Sequence, residues 1–253
     1  MDRRVLVTAG ASGIGREIVR AFAAAGDKVF VCDIDSKALE ALAQELSSVT
    51  TGVCDVAKRR DIEHMVRSAV HALGGLDILV NNVGISGPTV PIEELDPDEW
   101  DKVVQVNLTA TFDVTRLCVP HLKNSAAGVV INMSSVAGRF GYANRIAYSA
   151  SKWGVVGFTK TLSIELGKYG IRVNAILPGA VDGPRLQRVF EGRAQLSGQT
   201  VEHEAKAIMV NQSLKSLVAP HDIAAFAVFL ASDAGKAISG QALPIDCDMQ
   251  SLN

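Results

Sequence analysis

The chain has 253 residues, 48% of them apolar and 21% charged, which is enough to bury a large core and suits one domain spanning residues 1–253. A net charge of −2 and a pI near 6.2 leave no basic excess for nucleic acid or an anionic membrane, so small molecules are the expected partners. Mean hydropathy is +0.21, yet no apolar run approaches the roughly 20 residues of a spanning helix, so no membrane association is expected.

From Arg3-Arg4 the sequence passes directly into a strand pattern, without the apolar stretch and cleavage site of a secretory signal, which predicts a cytoplasmic protein. Short runs rich in Val and Ile predict strands at Val5–Val7, Val29–Cys32, Gly52–Cys54, Ile78–Val80, Val129–Met133, Val173–Leu177 and Ala242–Ile245, each buried on both faces. Between them, helical periodicity marks Gly15–Ala25, Lys37–Leu46, Asp61–Leu73, Asp98–Leu122 and Ser151–Lys168. Alternation of this kind predicts an α/β fold, a doubly wound parallel sheet with helices on both faces and ligands at the strands' C-terminal edge. The one long departure, residues 182–218, is read as a substrate lid. The five histidines have no metal-ligand spacing and no metal is expected; the four cysteines are scattered and read as small buried hydrophobes.

Each strand end then suggests a role. After the first strand, Thr8-Ala9-Gly10-Ala11-Ser12-Gly13-Ile14-Gly15 leads into a helix, the setting in which glycines let the backbone approach a pyrophosphate at the positive end of the helix dipole. Gly10, Ser12, Gly13, Ile14 and Gly15 are therefore candidate cofactor contacts, with Gly13 and Gly15 foremost. Asp33 closes the second strand at the interval where a carboxylate accepts hydrogen bonds from the adenosine ribose, which predicts NAD rather than NADP because a 2′-phosphate would meet like charge. Asp35, nearby, reads as a helix cap. Asp55, beside Val56, either reaches the adenine edge or caps the next helix. Further along, Tyr148 and Lys152 lie four residues apart on one helix face, downstream of Ser134-Ser135 at a strand end. A lysine ammonium favours the phenolate and so equips a tyrosine to move a hydroxyl proton during hydride transfer.

With these motifs in view, the sequence resembles the short-chain dehydrogenase/reductase family from Val5 to about Asp246. The family's Tyr-x-x-x-Lys pair matches Tyr148 and Lys152, its substrate-orienting serine Ser135, and its helix asparagine Asn107. The resemblance implies that Ser135 positions the substrate oxygen, Tyr148 exchanges its proton, Lys152 binds the nicotinamide ribose, and Asn107 holds a relay water. The family's Asn-Asn-Ala-Gly resembles Asn81-Asn82-Val83-Gly84, which adds Asn82 and Gly84 to the cofactor contacts. Its Pro-Gly resembles Pro178-Gly179, beside which Val181 is expected to bond the carboxamide through its backbone. Four departures stand out: Ala9 at the first glycine, Val83 for alanine, no clear threonine after Pro178-Gly179, and Asp246-Cys247-Asp248 where many relatives carry Asp-Gly-Gly.

The substrate is less legible. Arg139, Arg145, Arg185, Arg188 and Arg193 either recognise a carboxylate, phosphate or sulfonate, with Arg145 and Arg185 the leading candidates, or are arginines of exposed helices. The long helices 98–122 and 151–168 carry surplus apolar surface, which suggests pairing across a two-fold axis, and the resemblance implies a homotetramer. Trp153 is assigned to the core or to such an interface. The leading expectation is an NAD-dependent alcohol or polyol dehydrogenase; the alternative is a 3-oxoacyl-thioester reductase.

Overall fold

The computed structural model describes residues 2–252. In chain order the elements are β1 (Arg4–Thr8), α1 (Gly13–Ala24), β2 (Lys28–Asp33), α2 (Ser36–Glu45), β3 (Val49–Val53), α3 (Arg59–Leu73), β4 (Ile78–Asn81), α4 (Pro97–Val104), α5 (Ala110–Leu122), β5 (Val129–Met133), α6 (Ile146–Gly167), β6 (Arg172–Pro178), α7 (Pro184–Ser197), α8 (Val201–Val210), α9 (Pro220–Ala231) and β7 (Ala242–Ile245). All strands are parallel, in the order β3-β2-β1-β4-β5-β6-β7. The expected doubly wound α/β architecture is therefore present. Strand order reverses between β1 and β4, which opens a crevice at their C-terminal ends.

Alternation within the strands builds two cores. Val5, Val7, Val29, Val31, Val129 and Ile131 pack with α1, α2 and α9 on one face. Leu6, Phe30, Leu79, Val130 and Val173 pack with α3, α5 and α6 on the other. Burial on both faces, expected of every strand, fails at the sheet edges: β3 and β7 are largely half-buried or exposed because no strand lies beyond them. β3 also begins earlier than its sequence pattern and stops before Cys54, since Thr50 and Thr51 take part in the ladder despite weak apolar character. The long helix expected over 98–122 is interrupted by a π-helical turn at Gln105–Thr109, a widening that recurs at functional positions, and it carries Asn107. Helix α9, unassigned in the sequence reading, packs against α1 and supplies Ile223, Ala227 and Leu230 to the first core.

Four polar side chains form a buried chain from the middle of the sheet to the helices beside it. Asn81 Nδ2 donates to Asn132 Oδ1 at 2.8 Å and to Thr115 Oγ1 at 2.9 Å, and Asn132 Nδ2 donates to Thr159 Oγ1 at 2.9 Å. This buried chain ties β4 and β5 to α5 and α6, although the Asn81 Oδ1 itself has no partner. Residues 182–218 contain α7 and α8, which enclose a small separate core of Val136, Ala180, Phe190, Ile208 and Met249. Among the described residues no helix is long and apolar enough to cross a membrane, and no cluster of His, Cys, Asp and Glu has the geometry of a metal site. Cys32, Cys54 and Cys118 are buried as expected, whereas Cys247 is only half-buried, because its strand-end turn reaches the surface.

Candidate active site

The crevice between β1 and β4 is framed by backbone left free to bind. Gly10 N–H donates to Cys32 O and Ala11 N–H to Asp33 Oδ2, but none of the N–H groups from Ser12 to Gly15 is bonded within the chain. Ser12 precedes α1 without a side-chain cap, so the positive end of the helix faces the crevice unneutralised. Gly13 holds φ +53° with open space where a Cβ would project. At Gly15 a Cβ would fall 2.3 Å from Ala9 O and 2.5 Å from Asn82 Nδ2. Asn82 Nδ2 donates to Thr8 O and Ala9 O at 3.1 and 2.8 Å, so Gly15 admits the clamp that joins the β1 and β4 loops. Replacing Gly15 by Ala is expected to push that clamp apart, costing about 1–3 kcal/mol of stability and weakening nucleotide binding at least about tenfold, as thermal melts and calorimetric titration would measure.

The expected cofactor contacts divide along the sheet edge. Asp33 is fixed by two backbone donors, Ala11 N–H at 3.1 Å and Asp35 N–H at 3.2 Å. Asp35 caps α2 by accepting from Ala38 N–H at 3.0 Å. Asp55 accepts from Ala57 N–H at 3.0 Å and pairs with Lys58 at 3.1 Å, so its carboxylate serves the turn into α3, next to buried Val56. Pro178 ends β6, and Gly179 lies so close to Asp246 that a Cβ would meet it at 2.7 Å. The peptide groups flanking Val181 bond to Val218, through Val218 N–H to Ala180 O and Asp182 N–H to Val218 O, while Val181's own N–H stays unspent. The anion cradle at one end, the braced carboxylate beside it and the spare N–H at the far end together suit a dinucleotide.

Tyr148 and Lys152 project from the first turns of α6, which starts at Ile146, earlier than its apolar pattern. Lys152 is buried, and its Nζ donates to Met133 O at 2.8 Å and lies 5.7 Å from the centre of the Tyr148 ring. Burial lowers the Lys152 pKa to about 8, against the raising influence of Tyr148 and with Arg185 adding to the fall. Burial alone would raise the Tyr148 pKa, but the positive charges of Arg185, Lys152 and Arg145, together with the Ser135 hydroxyl, outweigh it and hold the phenol below its ordinary value of 10.0. Ser135 ends the β5 loop and also accepts from Ala137 N–H at 3.1 Å. Asn107 is buried: its Oδ1 accepts from Ile85 N–H at 2.7 Å, and its Nδ2 donates to Ile85 O and Ser151 Oγ, each at 3.0 Å. Gly84 stands between these groups, since a Cβ there would lie 3.2 Å from Lys152 Nζ and 3.3 Å from Asn107 Oδ1.

Two arginines close over the tyrosine. Arg145, only 3% exposed, donates to Ser86 O at 2.9 Å and Thr89 Oγ1 at 3.3 Å, with its Cζ 5.3 Å from the Tyr148 ring centre. Arg185 reaches across from α7, donating to Ser86 Oγ at 2.9 Å and Gly84 O at 3.1 Å, with its Cζ 5.7 Å from the same ring. Burial and the neighbouring charges of Arg185 and Arg193 lower the pKa of Arg145, against the opposite influence of Tyr142 and Tyr148. Arg139, grouped with these in the sequence, turns away and stands 4.0 Å from Asp246. Sequence reasoning missed Ser86, the anchor shared by both guanidiniums, because it lies in a loop without periodicity or a motif.

The departures from the glycine pattern have a backbone reading. Ala9, Cys247 and Asp248 adopt φ of +50°, +57° and +54°, the left-handed region that glycine occupies without strain. These turns therefore take a conformation that favours glycine with other residues in place.

Comparison with known proteins agrees with this geometry. A family model described as short chain dehydrogenase matches residues 3–194. D-beta-hydroxybutyrate dehydrogenase of Cupriavidus necator is 38% identical over 244 residues, 94% of each chain. An actinorhodin polyketide ketoreductase solved with NADPH has a TM-score of 0.92 at 34% identity, over 97% of this chain and 96% of that one. An NAD+-bound xylitol dehydrogenase has a TM-score of 0.92 at 27% identity, over 96% and 97%.

Proposed function

The chain belongs to the short-chain dehydrogenase/reductase family, oxidoreductases of hydroxyl and keto groups that bind a nicotinamide cofactor, and on that premise we propose that it interconverts a secondary alcohol and its ketone using NAD. The observation that carries this reading is Tyr148, its pKa lowered among Arg185, Lys152 and Arg145 beside the Ser135 hydroxyl. The nicotinamide, when bound, supplies or accepts the hydride. Gly10, Ser12, Gly13, Ile14, Gly15 and Asn82 would hold its diphosphate end, Asp33 the adenosine ribose, with Asp55 and Val56 alongside the adenine. Gly84, Lys152, Pro178, Gly179 and Val181 would surround the nicotinamide end.

In the reaction, Ser135 orients the substrate oxygen and Tyr148 takes the hydroxyl proton during oxidation or returns it during reduction. Lys152 lowers the energy of the phenolate, and Asn107 fixes the Ile85 loop against α6 while lying near Lys152. Oxidation requires the phenolate and therefore rises with pH through the lowered Tyr148 pKa; reduction requires the phenol and falls through the same value. Replacing Lys152 by Met removes one of the charges that lower this pKa. The oxidative limb of kcat/KM should move to higher pH and kcat should fall about 100-fold, and an unmoved limb would refute the electrostatic role.

Residues 182–218 are read as a lid within one domain, closing over a polyol, sugar or hydroxy-acid-like substrate. Trp153, half exposed on α6, and Phe112, 45% exposed on α5, suit packing against further copies in a homotetramer. Four free cysteines suit the reducing cytoplasm. The likeness to a ketoreductase favours a second reading, reduction of a 3-oxoacyl thioester, but Asp33 opposes the NADPH bound there. Following NADH and NADPH absorbance over polyols, sugars, hydroxy acids and 3-hydroxyacyl thioesters tests both. Turnover of secondary alcohols with NAD is expected, and activity confined to thioesters with NADPH would replace the first reading by the second.

A further inference from the structure

Around Tyr148 the charges do not balance. Among the described residues, no carboxylate pairs with Arg145, Arg185 or Arg193, and what sets them apart from the other unpaired arginines is that they gather around Tyr148 and Tyr142. Arg145 and Arg185 share Ser86, one on its carbonyl and the other on its hydroxyl, so two like charges are held close together beside the tyrosine. Arg193 adds a third, its Cζ 5.4 Å from the ring centre of Tyr142, the ring that Arg145 also approaches at 5.4 Å. Like charges gathered in a partly dry site are costly without a counter-ion. The second observation concerns hydrogen bonding. Arg145 is 97% removed from solvent by its 3% exposure, yet its Nε has no hydrogen-bond partner. Arg185 uses Nε and Nη1 and makes no bond through Nη2. Arg145 thus keeps a buried donor unspent, and Arg185, exposed on α7, keeps its Nη2 open to a ligand at the mouth of the site, where a guanidinium's donors match a carboxylate oxygen.

We propose that Arg145 and Arg185 recognise a carboxylate on the substrate, so that the alcohol oxidised at Tyr148 is a hydroxy acid and the ketone reduced there an oxo acid. This rests on the oxidoreductase reading and narrows its substrate class. A carboxylate lying a few bonds from the carbinol carbon would neutralise the guanidiniums while the hydroxyl meets Tyr148 and Ser135. Because Arg185 belongs to α7 and bonds the β4 loop, the same anion would join the two sides of the pocket. A competing role is that the arginines only acidify Tyr148.

The test compares short-chain 2- and 3-hydroxy acids with their methyl esters, using the wild-type enzyme with NAD and its Arg185→Gln variant. The variant should lose activity on both substrates as the Tyr148 profile moves to higher pH, and at the pH plateau of each profile the loss in kcat/KM on the acids should exceed that on the esters by about 100-fold. Equal losses on acids and esters, accompanied by an upward shift of the profile, would overturn the proposal and leave only the acidifying role. Sulfonate and phosphate analogues form a second arm; an Arg185-dependent preference for them over carboxylates would also overturn it. Calorimetric titration of oxo acids into the protein gives a reading independent of turnover. Arg185-dependent binding without any turnover would remove the oxidoreductase reading and keep the carboxylate site, whereas turnover of neutral alcohols with no binding of acids would remove the site alone.

Discussion

Replacing Tyr148 by Phe is expected to lower kcat by about 1,000-fold or more in both directions, while nucleotide affinity stays within about threefold. The substitution deletes one oxygen and keeps the ring that packs between Arg145, Arg185 and Lys152. No other described group is equally placed to exchange the proton. Lys152 is committed to Met133 O, Asn107 to Ile85 and Ser151, and the Ser135 hydroxyl accepts from Ala137 N–H. Binding should survive because the cradle at Ser12–Gly15 and the Asp33 brace lie on other strands. Steady-state kinetics and calorimetric titration with NAD would measure the two effects. Near-full turnover in the variant would reject Tyr148 as the proton-transferring group, and loss of both quantities together would point to a damaged fold instead.

The parts of this site that were legible in the sequence are those governed by local rules. A β-strand followed by glycines and a helix has few physical readings, and a Tyr and Lys four residues apart on a helix must share a face. The doubly wound parallel sheet followed from alternation because crossovers are right-handed. What escaped depends on contacts between distant segments. Ser86 gains its importance only when Arg145 from α6 and Arg185 from α7 converge on it, across 59 and 99 residues of sequence. The π-turn that presents Asn107 is absent from the apolar pattern, because one widened turn barely perturbs a 3.6-residue period. Likewise, the sequence revealed that Ala9, Cys247 and Asp248 stand where the family has glycines but not that the backbone takes a left-handed conformation there. Of the five arginines, burial separates Arg145 from the exposed Arg139, and no sequence period carries that distinction.

Cofactor choice gives the second large effect. Wild-type enzyme should prefer NAD over NADP by about 100-fold or more in kcat/KM, and Asp33→Ser combined with Ile34→Arg should reverse that order, a total change of about 10,000-fold. Asp33 cannot easily turn away from a 2′-phosphate, since both carboxylate oxygens are engaged, one by Ala11 N–H and the other by Asp35 N–H. A ribose hydroxyl can donate to the carboxylate's remaining lone pairs, whereas a phosphate brings like charge to a fixed one. The neighbouring side chain is the natural place for compensation: Ile34 is 67% exposed, so an arginine there costs no core packing and extends toward the ribose edge. Asp33→Ser alone should weaken NAD without creating strong NADP use, because it also loosens the Ala11 turn. Paired kinetics with the two cofactors separate these terms. If the wild-type enzyme used NADP as well as NAD, Asp33 would not be the discriminating charge. If the double variant kept the NAD preference, selectivity would reside elsewhere along the crevice.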